Sequence, residues 1–194
     1  MSREDVFRRV FAENYRPLMA YALRRAASRA DAEEVVADAF TVAWRRFDQL
    51  PQGEREQRLW LYGVARRTLA NNRRTNERAE RLRHRLRPYA TDAAPSADSY
   101  VEDEAHVDLA LLSLAGLSSA DQELLRLAFW EGLNHSEIAK VVDTPVPNVA
   151  VRLHRARKRL KKAFEAHMQG QLAGGHEPNA RTMRGPLGQE SRGG

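Results

Sequence analysis

Residues 132–164, GLNHSEIAKVVDTPVPNVAVRLHRARKRLKKAF, decide the fold of this 194-residue chain, because they read as two helices joined by a tight turn. Asn134 stands three residues before Glu137, a spacing at which the amide oxygen accepts from an early helix N–H while the carboxylate reaches back to the cap. Ile138, Val141 and Val142 then supply the apolar stripe of a short first helix. Asp143-Thr144-Pro145 breaks it, with Thr144 as the expected N-cap and Pro145 at the first helical position. Val146, Val149, Leu153, Ala156, Leu160 and Phe164 recur at spacings of three and four, which predicts a second, longer helix. The pattern is that of a helix-turn-helix.

The outer face of the second helix carries Arg152, Arg155, Arg157, Lys158, Arg159, Lys161 and Lys162, with no acid from residue 146 through residue 163. A solvated face is the ordinary meaning of such a row. Here the cations have no acidic partner along their helix, and a turn of suitable length precedes it. The first turns project Asn148, Ala150, Val151 and His154, groups small enough or polar enough to approach base edges in a major groove. Duplex DNA binding is the expected role.

A net charge of +6 and a pI near 10.0 point the same way, toward an anionic partner. The absence of cysteine excludes disulfides, thiol nucleophiles and cysteine-ligated zinc. The histidines at 84, 106, 135, 154, 167 and 176 are scattered, and no serine, histidine and acid grouping stands out, so neither an enzyme nor a cofactor is expected. No apolar run approaches the roughly 18 residues of a membrane span, and the first residues are too polar for a signal peptide. A cytoplasmic protein without membrane insertion is expected.

Toward the amino terminus, Phe7, Val10, Phe11, Tyr15, Leu18 and Tyr21 or Ala22 share a helical face over about residues 3–27. Asp31 and Glu34 have capping-box spacing ahead of a second helix. In it Val36, Phe40, Ala43 and Phe47 form one stripe, which Val35, Ala39 and Val42 widen beyond half the circumference. The surplus apolar face, edged by Glu33, Glu34 and Asp38, fits a partner surface as readily as a second buried side. After a loop at Pro51-Gln52-Gly53 helical spacing resumes, with Gly63 as its weak spot and with Trp60 and Tyr62 read as core. Arginines 66, 67, 73, 74, 78, 81, 83, 85 and 87 follow against only Glu77 and Glu80, a second polyanion footprint.

From residue 88 to residue 108 the charge inverts, with Asp92, Asp98, Glu102, Asp103, Glu104 and Asp108 and no cation. Helical spacing returns through Val107, Leu111, Leu114 and Leu117, and Ser119 or Asp121 opens a helix holding Leu124, Leu125, Leu127, Ala128 and Phe129. With the helix-turn-helix these make a four-helix module. The expected architecture is all-α: two small helical domains, 1–87 and 108–166, joined by a flexible acidic linker, 88–107, and followed by a disordered, glycine-rich tail, 167–194.

DAEEVVADAFTVAWRRFDQL at 31–50, followed by LWLYGVARRTLANNRR at 59–74, resembles conserved region 2 of the extracytoplasmic-function sigma factors of the sigma-70 family. LSSADQELLRLAFWEGLNHSEIAKVVDTPVPNVAVRLHRARKRL at 117–160 resembles their region 4. The two likenesses span about residues 5–87 and 108–165, in the family's order. The resemblance implies a dissociable subunit of bacterial RNA polymerase, one copy per holoenzyme. Region 2 would bind the clamp helices of the largest subunit and open the minus-ten element. Region 4 would bind the minus-thirty-five element as duplex and touch the flap of the second-largest subunit. An anti-sigma factor is a further partner the family allows.

Carried over by position, the polymerase-binding residues are Glu34, Val35, Asp38, Ala39, Phe40 and Val42. The minus-ten residues are Arg66, Arg67, Thr68 and Asn71, with Arg73 and Arg74 on the backbone. The minus-thirty-five residues are Asn148, Ala150, Val151, Arg152, His154, Arg155, Lys158 and Arg159. The chain departs from the common pattern at Arg67, where many members have asparagine, and at Pro147, Ala150 and Val151, so its preferred promoter is its own. A stand-alone helix-turn-helix regulator is the alternative, and it would bind a palindromic duplex as a dimer rather than an asymmetric bipartite site.

Overall fold

The structure, a computed structural model, describes residues 2–86 and 104–174, and their side chains over 2–75 and 108–169. Among the described residues all regular structure is helical: α1 Arg3–Leu23, α2 Arg29–Arg45, a single 3-10 turn Phe47–Gln49, α3 Glu54–Leu86, α4 Glu104–Ala115, α5 Ser119–Phe129, α6 His135–Val142 and α7 Val146–Gly174. Most of the expected acidic linker lies outside the described residues. Its last four residues do not belong to it, since α4 begins at Glu104. The tail also starts later than expected, because α7 continues through Gly174. His167 holds that extension in place, with its Nδ1 3.1 Å from Ser113 Oγ on α4 and 2.8 Å from the Ala163 carbonyl.

Hydroxyl and amide caps set the helix starts, in three cases shifted from the expected positions. Ser28, not Asp31, caps α2 by accepting from the Asp31 N–H at 3.1 Å, which leaves the Asp31 carboxylate in the first turn where the helix dipole favours it. Ser118 does the same for α5, one residue ahead of Ser119. Thr144 is not the cap of α7. Its hydroxyl turns back to donate to the Val142 carbonyl at 3.3 Å, and the Pro145 carbonyl accepts from Asn148 and Val149 instead. The box at α6 forms as expected, with Asn134 and Glu137 bonded reciprocally at 3.0 and 2.9 Å. Asp143 ends α6 in the left-handed region at φ 53°, which brings the Thr144 N–H back to the Ala139 carbonyl.

In the first module α1, α2 and α3 each pack on the other two, and α2 is covered by both its neighbours. Val35, Val36, Ala39, Phe40 and Ala43 are all buried, so the wide apolar surface of α2 is a second buried side rather than a partner face. In the second module Val149, Leu153 and Ala156 of α7 pack on Leu124, Leu125 and Leu127 of α5 and on Ile138, Val141 and Val142 of α6. Each fully buried side chain of this size contributes about 1.5–3 kcal/mol.

The modules also pack on each other, α6 against α3, and their buried residues form one continuous core. Gly63 is where α3 meets the end of α6: a Cβ there would lie 3.6 Å from the Val141 carbonyl oxygen, in ordinary van der Waals contact.

Candidate nucleic-acid interface

The amphipathic pattern of α7 fixes which side chains face solvent. With Val149, Leu153 and Ala156 buried, Val151, Arg155, Lys158 and Lys162 point away from the core, flanked by Asn148, Arg152 and His154, all exposed; Ala150 is half-buried. Val151 is 50% exposed, a large apolar side chain left in water next to a cationic row. The row is not wholly free. Arg159 pairs with Asp121 of α5 at 2.7 Å, Arg157 lies 5.6 Å over the Phe129 ring, and Lys161 reaches Glu165 at 3.7 Å. Among the described residues Arg152, Arg155, Lys158 and Lys162 form no ion pair, which leaves four cations on one uncovered face.

On α3 the arginines divide between two faces. Arg67, Asn71, Arg73 and Arg74 are exposed, while Arg66 and Thr68 are half-buried. Tyr62 stacks on Tyr21 with centroids 4.6 Å apart and planes inclined by 15°, and both rings are buried, so Tyr62 is core as expected.

The residues expected on the polymerase side of α2 separate likewise. Glu34 and Asp38 are exposed and Val42 is half-buried, but Val35, Ala39 and Phe40 lie inside the core and present nothing to a partner. Exposed rings gather here, Trp44 on this helix and Phe11 and Tyr15 on α1, with Phe11 tilted on Phe40 at 4.6 Å and Phe7 edge-on to Trp44 at 5.1 Å.

A third group of charged residues escaped the sequence reading. Arg25, at the end of α1, is 5% exposed and donates to Glu123 of α5 at 2.8 Å and to Glu131 at 2.9 Å, while Arg24 reaches Glu131 at 2.6 Å. The Tyr21 hydroxyl donates to the other Glu123 oxygen at 2.9 Å. Arg55 grips Glu137 through two bonds of 2.6 and 3.0 Å. That bond is the main reason the Glu137 carboxyl is held below its ordinary value, whereas burial first and Glu123 second push the Tyr21 hydroxyl well up. No local signal marks these pairs: Arg24 and Arg25 read as cations closing a helix, and Glu137 as half of a cap.

The family model for Sigma-70 region 2 matches residues 10–79, and that for Sigma-70, region 4 matches residues 108–160, together more than half of the chain. Over 164 residues the chain is 28% identical to the ECF RNA polymerase sigma factor SigL of Mycobacterium tuberculosis, covering 82% of this chain and 89% of that one. The chain belongs to the extracytoplasmic-function sigma factors. This sigma factor is also 24% identical over 168 residues to the RNA polymerase sigma factor YlaC of Bacillus subtilis, over 84% of its own length and 94% of the relative's. Its fold is similar to that of the sigma factor RpoE in co-crystal with the anti-sigma factor NepR from Bartonella quintana. There the TM-score is 0.62 at 19% identity, over 82% of this chain and 96% of the other. It is similar as well to CnrH in complex with the cytosolic domain of CnrY, with a TM-score of 0.57 at 21% identity over 84% and 90%. No helix of the described residues is long and apolar enough to cross a membrane.

Proposed function

We propose that this sigma factor directs core RNA polymerase to promoters carrying separate minus-thirty-five and minus-ten elements, one read by each module. The observation that carries the reading is the uncovered face of α7, where Arg152, Arg155, Lys158 and Lys162 have no acidic partner among the described residues and lie opposite the buried stripe of a helix-turn-helix. Arg155, one turn beyond Val151, can fork onto guanine O6 and N7, Ala150 and Val151 suit a thymine methyl, and Lys158 holds phosphate. Arg66, Arg67, Thr68, Asn71, Arg73 and Arg74 of α3 take the minus-ten strand. Glu34 and Asp38 on the outer face of α2 meet the clamp helices of the largest polymerase subunit, and region 4 meets the flap of the second-largest. The co-crystal of a similar sigma factor with its anti-sigma factor supports a partner of that class here. A dimeric stand-alone regulator is disfavoured by the region 2 match, which such a protein does not need.

The test is co-elution with core polymerase on size exclusion, followed by run-off transcription from a library of randomised promoters. A shared asymmetric, bipartite sequence among the active templates is the expected result. A free homodimer selecting a palindrome would overturn the reading.

A further inference from the structure

Three carboxylates of the second module hold three arginines of the first: Glu123 and Glu131 hold Arg24 and Arg25, and Glu137 holds Arg55. The match is incomplete. Arg24 Nε, Arg25 Nη2 and Arg126 Nε are buried without an acceptor, so the anions present do not satisfy the donors gathered there. Burial first, and then the nearby charge of Arg25, lowers the Arg126 guanidinium from its ordinary value, and Arg73 acts on it in the same direction. These cations lie near the minus-ten helix, since α6 packs against α3 and the Arg67 guanidinium lies 3.8 Å from the Cβ position of Gly63, beside the end of α6. Arg25 also sits 3.7 Å over the buried Tyr21 ring, which stacks on Tyr62, so its guanidinium is held in place on the covered face.

We infer that the face of region 2 built around Arg24, Arg25 and Arg55 is a further binding surface for the phosphates of an unpaired DNA strand. Glu123, Glu131 and Glu137 of region 4 occupy it when no nucleic acid is bound. The exchange is energetically reasonable because the buried Arg25 pairs gain little over separate hydration, the Arg24 and Arg55 pairs are partly exposed and weak, and phosphates of the same charge sense replace the carboxylates. The inference rests on the reading of α3 as the minus-ten helix and adds to it both new contacts and an internal competitor.

The experiment measures binding of the full chain to a fluorescent pool of random single-stranded DNA over a range of salt. The Glu123→Gln, Glu131→Gln, Glu137→Gln triple variant is compared with a Glu4→Gln, Glu33→Gln, Glu165→Gln control of equal net charge. If only about a tenth of the parent is open, the triple variant gains about tenfold in affinity over the control. Adding Arg25→Ala and Arg55→Ala to it then flattens the salt slope by about 1.4, the share of two single-strand phosphates. Gly63→Leu supplies a second route that removes no charge: it should separate donor and acceptor dyes placed on the two modules and give the same gain. It also serves if the triple variant does not fold.

No gain over the control, or no gain once Gly63→Leu has separated the dyes, overturns the occupancy by the glutamates. An unchanged salt slope overturns the phosphate contacts. Run-off transcription with the parent chain separates the two levels, because holoenzyme that initiates normally while pool binding fails to respond leaves the promoter reading intact and sinks this inference alone.

Discussion

Helices α2 and α7 each carry more surface of one kind than a single packed face requires, and the fold treats the two surpluses in opposite ways. The apolar surplus of α2 is taken inside, with α1 covering one side and α3 the other. The cationic surplus of α7 stays outside, trimmed among the described residues by Asp121, Glu165 and the Phe129 ring. The difference follows from desolvation. An extra apolar face is stabilised by whatever neighbour the chain itself provides, whereas a row of guanidinium and ammonium groups can be covered only by matching anions. Surplus charge is consequently the safer pointer to an outside partner.

Five perturbations would break or sharpen that contrast. Val35→Asp should be the most damaging, costing about 3–5 kcal/mol of stability because it places an unpaired carboxylate at a fully buried position. A urea midpoint equal to the parent's would mean that this side of α2 is open after all. Asp38→Arg, three residues on and exposed, should leave the urea midpoint where it was but weaken core polymerase binding by about 2–5 kcal/mol. Retention of parental affinity on a titration with core would remove α2 from the polymerase surface.

The other three perturbations act on α7. Arg155→Ala should cost about 1–3 kcal/mol on the preferred minus-thirty-five duplex and relax the preference at one base pair, whereas Lys158→Ala should weaken every sequence alike and lower the salt slope by about 0.9. A panel of single-base promoter changes separates them, and a uniform loss for Arg155→Ala would make it one more phosphate clamp. Arg159→Ala should have the smallest effect, below about 1 kcal/mol on stability, because its ion pair with Asp121 is more than half exposed on the arginine side. DNA affinity should fall less than for Lys158→Ala, and an equal fall would show that Arg159 leaves Asp121 for the duplex.

The sequence carried the contents of each module and little of how the modules meet. Periodicity placed the stripe of α7, and the Asn134–Glu137 spacing placed its neighbour's start to the residue, because both are encoded within one or two turns of chain. The cap at Thr144 was misplaced by a hydroxyl that found a carbonyl behind it instead of an amide ahead. The second face of α2 was undecidable locally, since a buried stripe and a partner stripe have the same composition. Contacts such as Arg25 with Glu123, 98 residues apart, leave no trace in periodicity. Gly63 was visible only as a flaw in a helix, and its place at the α3–α6 contact appears once α6 is seen lying against it.

Because Glu123, Glu131 and Glu137 share a chain with the arginines they hold, the closed contact is a unimolecular equilibrium. Dilution does not release it, and raising the copy number of the protein does not tighten it. A competitor must instead outbid a local concentration that tethers commonly set in the millimolar range. Occupancy of the covered face would then answer to the amount of competitor per cell and remain indifferent to how much of the protein is made.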